Sequence, residues 1–376
     1  MQSDTFVRDA AFYKRFFSIW SMLVLYNIIT LGVNLADNVM IGAYSEIAMS
    51  GVSAVNQIQF VFQQLMMGVG DGIVVLGSQY WGKRRPDAIR KFLPGAFLVG
   101  AGISLFLFVA ACVAPEAILA IFTPDPAIRA AGVEYLRIIK YSYLIFALSQ
   151  ILLAMLRSVE TVRIGFWVSL AALAVNISLN YLLIGGHLGA PALGATGAAI
   201  ATAAARTMEL AVVLIFALRA DKKLGWRIAD IFRPDRALMK DFLRLIRPML
   251  FTSLMFGVAV ALQTAILGHM NENAIAANSV ASTLFQTLKV ASVGAASAAS
   301  ILIGTAIGSG QMDRIKAYTR TLQLMFLGIG LCTSLLLFAL RYPILSLYDM
   351  SAETYHLAEQ FILVLCFTGF GTAYEM

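Results

Sequence analysis

Ten stretches of this chain are apolar enough and long enough to cross a lipid bilayer: 16–41, 47–80, 92–114, 127–156, 164–184, 193–218, 243–268, 274–307, 318–340 and 355–374. A bilayer core of ~30 Å takes about 20 helical residues at about 1.5 Å each. In lipid no water satisfies the backbone N–H and C=O groups, so a chain built of such segments folds as packed helices. Composition agrees. Of 376 residues 60% are hydrophobic and only 13% are charged, against roughly 25% charged in soluble domains. The expected fold class is all-α, a polytopic membrane protein. The first 15 residues are polar and the apolar run that follows is too long for the core of a signal peptide, so no cleavable leader is expected.

The apolar pattern repeats. Residues 40–90 match 266–316 at a constant offset of 226, with 9 of 51 positions identical. Gly42 meets Gly268, Glu46 meets Glu272, Gly68 meets Gly294, Gly82 meets Gly308 and Asp87 meets Asp313. The matches fall on turn and packing residues. Long-period duplication of this kind is a signature of secondary transporters. Six apolar segments precede the one long polar stretch, and an even number leaves the second copy pointing the same way as the first. The expected organisation is a six-helix lobe over 1–218, a connector over 219–242 and a second, incomplete lobe of about four helices over 243–376. Two full copies need about 452 residues, so counterparts of about 75 residues are expected to be missing from a C-terminally truncated second copy.

Charge placement predicts orientation. The N-terminal segment, the 81–91 loop, the 157–163 turn, the 219–247 stretch and the 308–320 turn carry 22 of the 28 basic residues. The opposite loops carry Arg341 as their basic residue, against Glu46, Glu116, Asp125, Glu272, Asp349 and Glu353. This places the N-terminus and the connector in the cytoplasm, with the chain in the plasma or inner membrane. It also accounts for the net charge of +7 without a nucleic-acid partner. Cys112, Cys332 and Cys366 lie in apolar stretches with no metal-ligand spacing and read as small packing hydrophobes.

Several polar residues interrupt the apolar segments. Asp37 lies near the outer end of the first, within NLADNVMIG. A carboxylate at that depth is costly and reads as functional, able to take a proton or hold Na⁺ reversibly; the alternative is an interfacial helix end. Asn176 and Asn180 are four apart and share a helix face. Their carbonyl oxygens are hard ligands suited to an alkali cation, or they serve as hydrogen-bonding glue between helices. Thr202 is a candidate hydroxyl for the same site, with Thr196 as the alternative. Asp71, within GVGDG, and Lys289, midway along the eighth segment, are candidate cleft or substrate residues. Arg206 and Glu209, three apart, read as a local ion pair.

NLADNVMIG with the following GVSAV, the second segment ending SQYWGKRRPDAIR, YLRIIKYSYLIFALSQILLAMLRS, and VNISLNYLLI followed by GATGAAIATA together resemble the MATE (multidrug and toxic compound extrusion) transporters. The resemblance covers essentially the whole chain. It implies two six-helix lobes around a cleft and export of organic, often cationic compounds in exchange for Na⁺ or H⁺, by alternating access. It implies small-molecule substrates, contact with membrane lipids, a monomer and no cofactor beyond the coupling ion. It also implies that Asp37, Asn176, Asn180 and Thr202 carry cation coupling, with Na⁺ at Asp37, Asn176 and Asn180. Some members carry Asp where this chain has Asn180, which leaves the choice of ion open. The alternatives are a lipid-linked oligosaccharide flippase of similar design and a truncated, non-transporting membrane protein. GVGDG and GATGAA lie inside apolar segments with no preceding strand, so they are not nucleotide-binding loops, and no enzyme is expected.

Overall fold

The helices fall in chain order as α1 (Ala10–Tyr44), α2 (Glu46–Gly82), α3 (Pro86–Val113), α4 (Pro115–Ala120), α5 (Pro126–Ile139), α6 (Ser142–Ser158), α7 (Arg163–Ile184), α8 (Gly194–Ile215), α9 (Arg236–Leu267), α10 (Glu272–Gly308), α11 (Met312–Leu345) and α12 (Ala352–Glu375). They come from a computed structural model that describes residues 6–267, 272–345 and 352–375. There is no strand among the described residues. Among the described residues eight helices are long and apolar enough to span a bilayer, with a ninth span if α5 and α6, bent by 57° at their junction, are counted as one. The fold is all-α and polytopic, as expected.

The sequence repeat is a repeat of helices. α1 and α9 start 226 residues apart, α3 and α11 likewise, and α2 and α10 are each 37 residues long with both ends 226 apart. Ser45 caps α2, its side chain accepting a hydrogen bond from the Ala48 backbone N–H at 3.3 Å. Such a cap satisfies one of the donors left over at a helix start. Asn271, the corresponding residue of the second copy, lies outside the described residues.

The expected single segment 127–156 is two helices. At the break, Tyr141 N–H donates to Ile138 O and Tyr143 N–H to Lys140 O, three residues back rather than four. The Ser142 hydroxyl donates to Ile139 O at 2.7 Å. A serine that bonds back to the preceding turn competes with the backbone and bends the helix.

The chain forms two compact units, Ile29–Ala261 and Met1–Ile28 with Leu262–Met376. These are a different division from the sequence halves, because the first helix of each copy is shared out. Within the Ile29–Ala261 unit α9 packs on α2: a Cβ at Gly72 would lie 2.3 Å from Ile246 Cγ2, and one at Gly68 2.8 Å from Ser253 Oγ. Within the other unit the repeat counterpart of Gly68 does the same for α1, since a Cβ at Gly294 would lie 2.8 Å from Val24 Cγ2. The Trp20 indole N–H donates to Ala291 O at 2.9 Å in the same contact. Glycine at these places lets helices approach backbone to backbone, the usual means of association in lipid.

α2 also approaches α5 backbone to backbone. A Cβ at Gly51 would meet Gly132 N at 2.6 Å and Ile128 O at 2.8 Å, atoms that cannot rotate away. Gly51→Ala is therefore expected to cost about 1–3 kcal/mol, read as a lowered unfolding midpoint of detergent-purified protein. Gly102→Ala, which faces open space on α3, is expected to leave the midpoint unchanged or slightly raised.

Candidate functional site

Four polar side chains meet inside the Ile29–Ala261 unit, and each arrives on a helix whose other residues are largely apolar. Asp37 comes from α1, Asn176 and Asn180 from α7, and Thr202 from α8. All four are buried; the two asparagines are 0% exposed, Asp37 7% and Thr202 8%. α7 and α8 come together closely because Gly197 lies directly against the Leu183 carbonyl, where a Cβ would be 2.5 Å from the oxygen. The spacing of four between the asparagines puts both amides on the face turned to α1 and α8.

The four side chains close a ring of hydrogen bonds. The Asn180 amide Nδ2 donates to Asp37 Oδ1 at 2.5 Å and to Asn176 Oδ1 at 3.3 Å. Asn176 Nδ2 donates to Thr202 Oγ1 at 3.4 Å. The Thr202 hydroxyl then donates to Asp37 Oδ2 at 3.2 Å. Every donor in the ring points, directly or through a neighbour, to the carboxylate. One oxygen is left over: Asn180 Oδ1 is buried and has no partner. An unpartnered buried polar atom is uncommon and calls for an explanation.

The sequence candidates thus separate. Asp37, Asn176, Asn180 and Thr202 come together. Thr196, the alternative hydroxyl, does not join them; it donates to Glu134 Oε1 at 2.6 Å, on the exposed side of α5. Asp71 is half-buried on α2, with Arg157 of α6 as its charged neighbour. Lys289 belongs to the other compact unit. It lines a small cavity there with Phe285, Ser292, Thr333, Ser334, Leu337, Leu365 and Gly369.

Arg206 and Glu209 are not the local ion pair expected. Arg206 Nη1 donates to Ser142 Oγ at 2.7 Å and Nη2 to Gln59 Oε1 at 2.6 Å, and its guanidinium lies 5.0 Å from the Phe146 ring. Glu209 instead accepts from Gln150 Nε2 at 3.5 Å. The bend between α5 and α6 turns Ser142 inward and gives the guanidinium a nearer acceptor. Gln59, 5% exposed, and Tyr135, whose phenol lies beside Thr202 and Gln59, extend the network from α8 to α2 and α5. Neither was a candidate from sequence. No local pattern in the sequence marks either, because each is set apart only by its contact with α8.

The sequence matches the model of the MatE family over residues 23–182 and 248–376. It is 24% identical over 347 residues to the multidrug resistance protein MdtK of Pectobacterium atrosepticum, covering 91% of this chain and 75% of that one. It is 24% identical over 360 residues to the probable multidrug resistance protein NorM of Bacillus cereus, covering 93% of this chain and 77% of that one. Among solved structures, the eukaryotic MATE transporter AtDTX14 superposes with a TM-score of 0.84 at 17% identity, covering 98% of this chain and 81% of that one. An outward-facing multidrug resistance MATE family transporter of the MOP superfamily gives 0.82 at 17% identity, covering 96% and 81%.

Thr202→Val removes both the donor to Asp37 and the acceptor for Asn176 while keeping the side-chain shape. Two buried partners are left unmade, at a cost of about 1–3 kcal/mol. The unfolding midpoint of the variant is expected to fall accordingly, and Thr202→Ser is expected to restore it.

Proposed function

Because this chain belongs to the MatE family, we propose that it is a secondary active multidrug exporter in which Asp37 holds the coupling cation and organic, often cationic compounds leave in exchange for Na⁺ or H⁺. The names of its multidrug resistance relatives support the substrate class. The observation that carries the ion site is the ring around Asp37. The ring offers five oxygens from three helices: both carboxylate oxygens of Asp37, Oδ1 of Asn176, Oδ1 of Asn180 and Oγ1 of Thr202. Hard oxygen donors of this kind suit an alkali cation, and the unpartnered Asn180 Oδ1 fits a group that acquires its partner only when an ion arrives.

The Asn180 amide is the exchangeable part. Without an ion its Nδ2 supplies hydrogen bonds to Asp37 and Asn176. A half-turn of the amide withdraws that donor and presents Oδ1 instead, converting a hydrogen-bonded carboxylate into a cation ligand set. A proton on Asp37 serves the same end by neutralising the carboxylate within its existing ring. Either event removes a bare charge from the lobe interior and changes which bonds tie α1 to α7 and α8. Alternating access follows if the drug and the cation prefer different arrangements of α1, since a ligand shifts an equilibrium only by its differential affinity. With the N-terminus in the cytoplasm, as the placement of the basic residues predicts, cations moving inward drive the drug outward.

Asp37→Asn is expected to express and fold normally but to lose ion-coupled dye efflux from cells, measured with Na⁺ and H⁺ gradients imposed separately. Drug resistance equal to the unmutated protein would overturn the assignment of the site.

A further inference from the structure

The stretch that joins α8 to α9 is strapped along the start of α3. Arg90 Nη1 donates to the Gly225 carbonyl at 3.2 Å, and the Asp235 N–H to the Lys91 carbonyl at 3.3 Å. The Trp226 ring, 3% exposed, lies 6.1 Å from the Phe97 ring. Lys223 Nζ donates to the Val159 and Glu160 carbonyls of the α6–α7 turn at 2.8 and 3.2 Å. These contacts act as a depth gauge. α3 turns apolar after Arg90 and Lys91, so the edge of the hydrocarbon lies near Lys91. Phe97 is six residues further in, at most about 9 Å along the helix. Residues 226–235 therefore climb from roughly that depth back to the edge. Interfacial amphipathic segments sit about 5–10 Å into the same boundary.

What this stretch leaves uncovered is apolar and basic. Ile228 and Phe232, at the two ends of a short 3₁₀ helix, are 50% and 81% exposed. Arg227, Arg233 and Arg236 flank them and are exposed as well. The nearby acids are already engaged by the backbone. Asp221 accepts from the N–H groups of Lys223 and Leu224, Asp230 from that of Arg227, and Asp235 from those of Ala237 and Leu238. The ion pairs among the described residues are Arg85 with Asp87 and Arg341 with Glu359, so the three arginines have no carboxylate partner there. An exposed phenylalanine beside such arginines, at interface depth, fits a phospholipid. Its acyl chains take up the apolar side chains, and its phosphate accepts from the guanidinium groups.

We infer that residues 226–236 form a docking surface for an anionic phospholipid of the leaflet on the basic side of the membrane. Ile228 and Phe232 enter the acyl boundary, and Arg227, Arg233 and Arg236 hold the headgroup. The inference is independent of the coupling-ion reading and adds a lipid partner of stated charge. Because the same stretch is tied to the start of α3 and to the α6–α7 turn, and leads into α9, a lipid bound there stabilises the folded chain by mass action.

The test is a titration of dansyl-labelled phosphatidylglycerol into the full chain purified in detergent, read by energy transfer from tryptophan. Dansyl-labelled phosphatidylcholine is the neutral comparison. The triple variant R227Q/R233Q/R236Q is expected to bind phosphatidylglycerol on the order of a hundredfold more weakly, about fivefold per charge, and phosphatidylcholine as before. Phe232→Ser is expected to weaken both lipids about tenfold. R314Q/K316Q/R320Q removes as many charges from the basic turn that opens α11 and is expected to change neither. An equal loss in that control reduces the effect to net charge and overturns the docking surface. Phosphatidylglycerol binding that survives the connector triple overturns it too, as does Phe232→Ser without effect on either lipid. Displacement of the lipid by glycerol 3-phosphate at equal concentration is the mark of a free-anion site and is equally fatal. Every substituted side chain is exposed, and R227K/R233K/R236K separates lost charge from lost fold. It is expected to keep most of the phosphatidylglycerol binding, and a loss as large as in the glutamine triple sinks the charge argument.

Discussion

A carboxylate carried on an apolar helix has to find its hydrogen bonds on other helices, because lipid offers it none, and much of the Ile29–Ala261 unit is arranged around that requirement. The ring at Asp37 ties α1 to α7 and to α8 by one bond each and α7 to α8 by a third, with a fourth inside α7. The Arg206 bonds continue the tie from α8 to α2 and to the bend between α5 and α6. Buried polar networks are worth having only when nearly every member is satisfied. Here nearly every member is, and the exception, Asn180 Oδ1, sits where the coupling cation is proposed to bind. The same bonds that hold the unit together are thus the ones that ion binding rearranges.

Close helix approach is the second condition, since a side chain such as threonine or asparagine reaches its partner only over a short gap. Glycine supplies the closeness. Gly51 meets Gly132 between α2 and α5, and Gly197 meets the Leu183 carbonyl between α7 and α8. Gly68 and Gly294 are equivalent by the repeat, and each receives the first helix of the other copy within its own compact unit. The duplicated helix pattern therefore does more than lengthen the chain. It makes the compact units differ from the sequence halves, with α1 and α9 each contributing to a unit that is mostly the other copy.

Much of this was legible from sequence. The apolar runs gave the helices because lipid leaves the backbone no other partner, though α9 and α11 begin at Arg236 and Met312, ahead of the apolar runs expected from 243 and 318. Asp37 stood out because charge is rare at membrane depth, and Asn176 and Asn180 because a spacing of four defines a face. Other features depended on contacts between segments distant in sequence. Thr196 and Thr202 are both hydroxyls on α8, and only the position of α5 shows that one meets Glu134 and the other Asp37. Arg206 and Glu209 have the spacing of an ion pair, yet a bend at Ser142, more than sixty residues away, gives the arginine a different partner. Gln59 lies in a polar run of α2 with nothing local to distinguish it.

The sequence by itself determined the class of fold, the repeat, the charge asymmetry and the acid at the centre of the site. These are set by transfer free energy and helical periodicity, which act on each segment alone. The tertiary structure decided which hydroxyl completes the ring, where the guanidinium points and which oxygen is left unpartnered. Those outcomes depend on distances between helices, and hydrogen bonds discriminate over tenths of an ångström that periodicity cannot encode.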